Sequence, residues 1–152
     1  MARILLAEDD EMVRTIVADA LLGAGHAIAC FEDGLQLLEA VHFRMPHMVI
    51  LDCNMPVLSG IETLRQLRQI AGMSTLPVMM LTARDASSDQ QIARYEGANA
   101  YVVKPVDPAR LVLHVEALLE EAASMRDAAA NSPRYRTQMQ VAPAVSPRRL
   151  VS

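Results

Sequence analysis

The chain has 152 residues, of which 52% are hydrophobic, 21% are charged and only 3% are aromatic, with no tryptophan. This length predicts one domain with a core large enough to fold on its own, and the scarcity of aromatic side chains argues against stacking on nucleobases. Up to residue 125, seventeen acidic residues outnumber nine lysines and arginines, so this part has no overall attraction for nucleic acid.

Strand-length apolar runs alternate with segments of helical spacing along the chain. Strands are predicted at about 3–8, 27–31, 48–52, 77–81 and 100–103, and helices at about 11–22, 35–43, 61–70, 85–95 and from 107 onward. Ser59 is placed to cap the third helix, and Gly60 is expected to allow a backbone turn there. The helix at 85–95 has few apolar residues and is therefore a candidate for movement. The alternation predicts an α/β fold, a doubly wound five-stranded parallel sheet with five helices.

From about residue 125 the apolar pattern fails, and residues 126–152 carry five arginines against one acid, Asp127. We expect a domain at 1–123 and a flexible tail at 124–152 that is too short for an output domain. No apolar run approaches the roughly 20 residues of a membrane span. The chain begins almost at once with a strand, which leaves no signal peptide and indicates a cytoplasmic protein. Cys30 and Cys53 are expected to be buried, reduced thiols.

Polar residues stand at the carboxyl ends of four predicted strands. Parallel strands place these ends on one edge of the sheet, where open α/β sheets bind ligands. Each residue alone is better explained as an ordinary strand end or helix cap, but four coincidences favour a site. The residues are Glu8, Asp9, Asp10, Asp52, Thr82 and Lys104.

The residue types at this edge suit phosphoryl chemistry. Crowded carboxylates attract a hard divalent ion such as Mg2+, with Asp9 and Asp52 as its ligands. A carboxylate can also act as a nucleophile and carry a phosphoryl group, and Asp52 lies on the central strand. Thr82 and Lys104 are placed to bind phosphoryl oxygens. Lys104 is the only lysine of the chain, which indicates that this position needs a compact ammonium group.

Over about residues 1–123 the sequence resembles the receiver domain of bacterial two-component response regulators, in particular stand-alone, chemotaxis-regulator-like receivers. The segments that carry the resemblance are Ile4-Leu5-Leu6-Ala7-Glu8-Asp9-Asp10, Leu51-Asp52-Cys53-Asn54-Met55-Pro56 followed by Gly60, Leu81-Thr82-Ala83, and Lys104-Pro105. The resemblance implies the flavodoxin-like strand order 2-1-3-4-5. It also implies a signalling protein that is not an enzyme, although it assists its own phosphorylation and dephosphorylation.

Residue roles follow from the resemblance. It implies that Asp52 is the phosphoacceptor and that Mg2+ is bound by Asp9 directly, by Glu8 through water, by Asp52 and by the backbone carbonyl of Asn54. Glu8 stands where an aspartate is commoner. Thr82 and Lys104 would sense the phosphoryl group, and Tyr101 would switch between outward and inward rotamers. We also hypothesise that Arg84 and Asn54 tune the lifetime of the aspartyl-phosphate.

The implied partners are a histidine kinase or histidine phosphotransfer protein and a downstream protein on the face formed by helix 4, strand 5 and helix 5. A phosphorylation-dependent homodimer is a further expectation, whereas nucleic acid and membrane are not expected partners of this domain. Two alternatives remain. In the first, the chain is the N-terminal receiver module of a longer DNA-binding or cyclic-dinucleotide regulator. In the second, it is a flavin-binding protein of the same fold; the acidic site and the low aromatic content disfavour this second alternative.

Overall fold

The structure, a computed structural model, describes residues 1–83, 91–94 and 96–133. Its strands are β1 (Arg3–Ala7), β2 (Ala27–Phe31), β3 (Met48–Asp52), β4 (Val78–Thr82) and β5 (Ala100–Val103). Its helices are α1 (Glu11–Gly23), α2 (Gly34–Phe43), α3 (Gly60–Gln69), the helical stretch 91–94, labelled α4, and α5 (Pro108–Ala130). The predicted positions of the strands are confirmed to within about one residue at each end.

The five strands form one parallel sheet in the order β2-β1-β3-β4-β5, as predicted. The register places Ala7 beside Leu51 and Asp52 beside Leu81. In the last pair, Thr82 lies beside Val103. The carboxyl ends of β1, β3, β4 and β5 therefore meet at one edge, and β3 lies at the centre of the sheet.

Two apolar layers cover the faces of the sheet. On one face, alternate strand residues pack with Val17 and Leu21 of α1 and with Leu111 and Val115 of α5. On the other face, the remaining strand residues pack with apolar residues of α2 and α3 and with Ala93 of α4. The three central strands are almost completely buried, as expected for a sheet covered on both faces.

Helix starts follow the predicted capping chemistry. The Ser59 side chain accepts a hydrogen bond from Glu62 N–H at the start of α3, which confirms its predicted role. Asp10 and Asp33 cap α1 and α2 in the same way. Asp10 therefore starts a helix, beside the two acids that precede it.

The last helix is longer than the apolar pattern indicated, because α5 continues to Ala130. Its final turns are rich in alanine, which has the highest helix propensity and needs no apolar stripe. By contacts the chain divides into one compact unit at Met1–Ala122 and a second at Ala123–Ser152. The domain boundary at 123 and the flexible character of the tail remain predictions. No helix of the described residues is long and apolar enough to cross a membrane.

Candidate functional site

The acidic residues and the single lysine meet at the carboxyl edge of the sheet. Glu8 and Asp9 directly follow β1, Asp52 is the last residue of β3, and Lys104 directly follows β5. Glu8 and Asp52 are 0% and 4% exposed, whereas Asp9 faces solvent. The site is therefore partly open to solvent: two of its carboxylates are buried and the third is exposed.

Lys104 bridges the two buried carboxylates. Its Nζ lies 3.1 Å from Oδ1 of Asp52. It lies 3.1 Å from Oε2 and 3.3 Å from Oε1 of Glu8. The backbone N–H groups of Asn54 and Asp10 donate to Asp52 and Glu8 at 3.3 and 3.2 Å. One ammonium and two amides thus compensate two buried carboxylates.

This arrangement shifts the ionisation of all three groups. Burial, and then the nearby Asp52 charge, raise the pKa of Glu8 from 4.5 to about 7 against the opposing effect of Lys104. Burial likewise raises the pKa of Asp52, and the Lys104 charge partly offsets this. Burial lowers the pKa of Lys104, but the charges of Asp52 and Glu8 outweigh it, so the net pKa is raised. Without a further cation at this site, the carboxylates carry more negative charge than the one ammonium group can neutralise.

The carboxylates of Glu8, Asp9 and Asp52 are placed to share a cation. One ligand oxygen from each residue lies within 4.8 Å of the others. Three carboxylate oxygens at a partly solvated edge are a donor set that fits a hard divalent ion, which keeps several water ligands. The donor set and the excess negative charge both favour a metal here.

The loop after β3 passes close beneath the site. A Cβ built on Gly60 would lie 2.1 Å from the carbonyl oxygen of Asp52. The glycine is needed for this close approach. The sequence predicted that it allows a special backbone turn, but its φ is not positive. The unusual backbone belongs to Val57, whose φ is 69° and which sits in a tight turn closed by a 2.7 Å bond from Leu58 N–H to Pro56 O. No sequence signal marks Val57, since β-branched residues rarely adopt this conformation.

Three other predicted residues lie on or just after the strands that carry this centre. Thr82 is fully buried at the end of β4, and its carbonyl accepts a 2.8 Å hydrogen bond from Lys104 N–H. Asn54 lies next to Asp52 through its backbone N–H. Tyr101 lies on β5, half-buried against the core. The structure thus brings the predicted residues to the carboxyl ends of β1, β3, β4 and β5, except Tyr101, which lies earlier on β5 beside Met80, and Arg84, which lies outside the described residues.

Sequence reasoning missed two supporting contacts and misjudged one thiol. Arg14 of α1 donates to the backbone carbonyl of Glu8 at 2.9 Å, so it supports the acidic loop. His26 is buried, accepts from Ala2 N–H and lies 2.6 Å from Glu116. Cys53 is buried as expected, but Cys30 is exposed because β2 is an edge strand.

A parallel sheet of this order, with an acid cluster and a lysine at its carboxyl edge, is the arrangement that the resemblance to receiver domains predicts. The sequence matches the response regulator receiver domain family over residues 4–116. The chain therefore belongs to the response regulator receiver domain family of two-component systems.

Relatives and solved structures agree with this assignment. Transcriptional regulatory protein CseB of Streptomyces avermitilis is 39% identical over 76% of this chain and 48% of its own length. Transcriptional regulatory protein TctD of Salmonella typhimurium is 37% identical over 80% of this chain and 53% of its own length. The chemotaxis response regulator CheY4 of Vibrio cholerae is 28% identical, with a TM-score of 0.74 over 78% of this chain and 98% of CheY4. The chain spans about half the length of the curated relatives it matches.

Proposed function

We propose that the chain accepts a phosphoryl group on Asp52, in the presence of Mg2+, from a histidine kinase or histidine phosphotransfer protein. The observation that carries this proposal is the contact of Lys104 Nζ with Asp52 at 3.1 Å in a site that also contains Glu8 and Asp9. A phosphoryl group brings negative charge, so its acceptor must be surrounded by compensating cations. Lys104 contacts both Glu8 and Asp52, and each of these two acids also accepts from a backbone amide. Of the two, Asp52, at the end of the central strand β3, is the one that matches the phosphoacceptor of receiver domains.

In the proposed step, a carboxylate oxygen of Asp52 attacks the phosphorus of a phosphohistidine. An O–P bond forms, the P–N bond breaks, and its electron pair leaves with the imidazole, which takes up a proton. Lys104 stabilises the charge that develops on the phosphoryl oxygens, and Thr82 supplies a hydroxyl beside them. Bound Mg2+ would add charge neutralisation, held by Asp9 and Asp52, by Glu8 through water and by the carbonyl of Asn54. Attack of water on phosphorus later breaks the O–P bond and restores the carboxylate.

The output would be a population shift in which Thr82 moves toward the phosphoryl group and Tyr101 follows it. The surface that would report this shift lies on the outer side of β5. It contains a cavity of about 290 Å3 lined by Tyr101, Val102, Val103, Pro105, Asp107, Arg110 and His114. This cavity supports a downstream protein partner, or a second copy of the domain, on the face of α4, β5 and α5. Such a signalling role places the protein in the cytoplasm, where its phosphoryl donors act.

Labelling with acetyl phosphate tests the phosphoacceptor. We expect the wild-type protein with Mg2+ to gain the mass of one phosphoryl group, and we expect Asp52→Asn to gain none. Addition of a chelator should abolish the label on the wild-type protein. Exposed Asp19 provides the matched control, since Asp19→Asn should label normally. Lack of label on the wild type, or equal labelling of the Asp52 variant, would contradict the proposal.

Lys104 offers a second prediction about the same step. Lys104→Met removes the ammonium and should lower the rate of labelling at least about tenfold, which corresponds to roughly 1.4 kcal/mol of transition-state stabilisation. Lys104→Arg keeps the charge but replaces a compact ammonium with a planar fork, so we expect only partial recovery. The initial labelling rate at saturating Mg2+ is the measurement. Full activity of the methionine variant would exclude this role.

A second candidate function is that of the receiver module of a longer regulator, with a DNA-binding or cyclic-dinucleotide output domain. The observation that favours it is that the chain matches only about half of the length of relatives that are named transcriptional regulatory proteins. A stand-alone receiver instead passes its signal to a separate protein. Sequencing the gene beyond the codon for Ser152 separates the two: a stop codon there supports the stand-alone role, and a continuing frame supports the module.

A further inference from the structure

Arg94 of α4 lies over the ring of Tyr101. Its guanidinium carbon is 5.5 Å from the ring centroid, within the range of a cation–π interaction. Arg94 itself is exposed. The ring packs against the buried cluster that includes Ala93 and Met80. Tyr101 is thus held between the apolar core and one guanidinium group.

The buried hydroxyl of Tyr101 raises the free energy of the conformation in which the ring packs on the core. It is inaccessible to solvent and finds no hydrogen-bond partner in the part of the chain that the structure describes. A buried hydroxyl without a partner costs free energy relative to a solvated one. Some other contact must therefore favour the buried ring, and the stacked guanidinium is such a contact.

The backbone that carries Arg94 is firmly attached to its surroundings. Ala93 is fully buried, and its carbonyl accepts from Ala98 N–H at 3.0 Å. The carbonyl of Arg94 accepts from Gly97 N–H at 3.1 Å, and Gly97 has a φ of +98°. This pair of bonds is the Schellman pattern that ends a helix. The base of the Arg94 side chain is therefore fixed relative to β5.

Two arginines of α3 hold the same turn from the other side. Arg68 donates to the carbonyl of Gly97 at 2.6 Å and to Asn99 Oδ1 at 2.9 Å. Arg65 pairs with Glu96 at 3.1 Å. The turn 96–99 between α4 and β5 is thus anchored to α3, and a change in the Arg94 contact acts on the Tyr101 ring and not on a loose loop.

We propose that Arg94 is a positioning residue that holds the Tyr101 ring in its buried state through its positive charge. The inference rests on the proposed function only where it makes Tyr101 the output switch; the stacking itself does not depend on phosphorylation. Arg94 then sets how much of the protein has the ring buried before any phosphoryl group arrives, and so sets the resting level of the signal.

Fluorine NMR of protein labelled with 3-fluorotyrosine tests this inference. The chain has three tyrosines, and the Tyr101 resonance is the one lost in Tyr101→Phe. Its shift difference between H2O and D2O measures exposure of the ring to solvent. We expect Arg94→Met, which keeps length but removes charge, to increase this difference, through a change of about two- to fivefold in the ratio of exposed to buried ring. Arg94→Lys, which keeps the charge, should lie closer to the wild type.

The exposed Arg44, which precedes the amino end of β3, gives the matched control. Arg44→Met should leave the Tyr101 resonance unchanged. An unchanged resonance in Arg94→Met, or equal behaviour of the methionine and lysine variants, would overturn the inference. The inference requires that the Tyr101 signal respond while the fold is retained, so the far-ultraviolet circular dichroism spectrum and the denaturant midpoint of Arg94→Met are measured beside it. Loss of the folded spectrum would assign the exposure to unfolding, and Arg94→Lys would then decide the role of the charge.

Beryllium fluoride, an analogue of the phosphoryl group, separates this inference from the proposed function. If the ring is buried in the phosphorylated state, Arg94→Met should need more beryllium fluoride for half-saturation in the presence of Mg2+, by up to about fivefold, because the apparent affinity scales with the fraction of protein that has the ring buried. Equal half-saturation of the two proteins would show that the buried ring is not linked to the phosphoryl site. Failure of the wild type to bind beryllium fluoride would contradict the proposed function, while the solvent-exposure result would still decide the role of Arg94.

Discussion

Glu8 is fully buried beside Asp52, with one lysine to compensate both carboxylates. Because its pKa is raised from 4.5 to about 7, the folded protein holds the Glu8 proton more tightly than the unfolded chain does. The contribution of Glu8 to stability is therefore complete below about pH 4.5 and is lost as the pH rises toward 7.

Glu8→Gln should remove this loss. Without metal, we expect the variant to exceed the wild type in free energy of unfolding by roughly 1–3 kcal/mol at pH 8, since one pKa unit corresponds to about 1.4 kcal/mol, and by little at pH 4. Urea unfolding in the presence of a chelator across this pH range is the measurement. Exposed Glu39 is the control site, because Glu39→Gln should follow the wild type. Parallel pH curves for Glu8→Gln and wild type would refute the expected linkage.

Single residues also show what the sequence determines. The meeting of Glu8, Asp52 and Lys104 was predictable because parallel strands place their carboxyl ends together, and the apolar runs show where each strand ends. The exposure of Cys30 does not follow from the residue pattern, because the edge position of β2 comes only from the strand order that the resemblance implies. The buried His26 likewise depends on a contact with Glu116, 90 residues away.

Among the connecting elements, the loop from β3 to α3 depends on Gly60. A Cβ there would lie 2.1 Å from a backbone oxygen of Asp52, which cannot rotate away. Gly60→Ala should therefore lower the free energy of unfolding by about 1–3 kcal/mol and slow phosphorylation by displacing Asp52. Gly23 at the end of α1 has open space around its Cβ position, so Gly23→Ala should be neutral or slightly stabilising. Equal stability of the two variants would contradict the close approach.

Val57 in the same loop stores strain. A φ of 69° is unfavourable for a β-branched residue by about 1–2 kcal/mol, and its side chain is 74% exposed, so little packing offsets the strain. Val57→Asn should raise the free energy of unfolding by about 0.5–1 kcal/mol, because asparagine tolerates this conformation. Val57→Ala keeps a Cβ at the same φ and should gain less. Denaturant midpoints measure the series, and a destabilised asparagine variant would be inconsistent with strain.

The elements differ in how well sequence predicts them. Strands and capped helix starts were predictable, since apolar runs, Ser59 and the aspartate caps are local signals. The end of α5 at Ala130 was not, because the apolar stripe stops earlier while alanine continues the helix by propensity alone. The left-handed backbone at Val57 has no local signal at all, since it is imposed by the path from β3 to α3.

At the scale of the whole molecule, the site exists only in the folded chain. Glu8, Asp9 and Asp52 come from strands separated in sequence by more than 40 residues, and folding brings their oxygens within 4.8 Å. The unfolded chain has no equivalent cluster of ligands. Any cation that binds these oxygens therefore stabilises the folded state by mass action.

Mg2+ should accordingly raise the melting temperature of the wild type in proportion to the logarithm of its concentration, once the site is saturated. At about 100 times the dissociation constant the stabilisation is about 2.7 kcal/mol. The gain should be larger at pH 8 than at pH 5, because protonation of Glu8 below its raised pKa removes part of the charge that attracts the ion. Asp9→Asn should lose most of the effect, whereas Asp19→Asn should retain it. A melting temperature independent of Mg2+ in the wild type would show that the three carboxylates do not act as a metal site, because crowded carboxylates that bind a cation must release free energy on binding it.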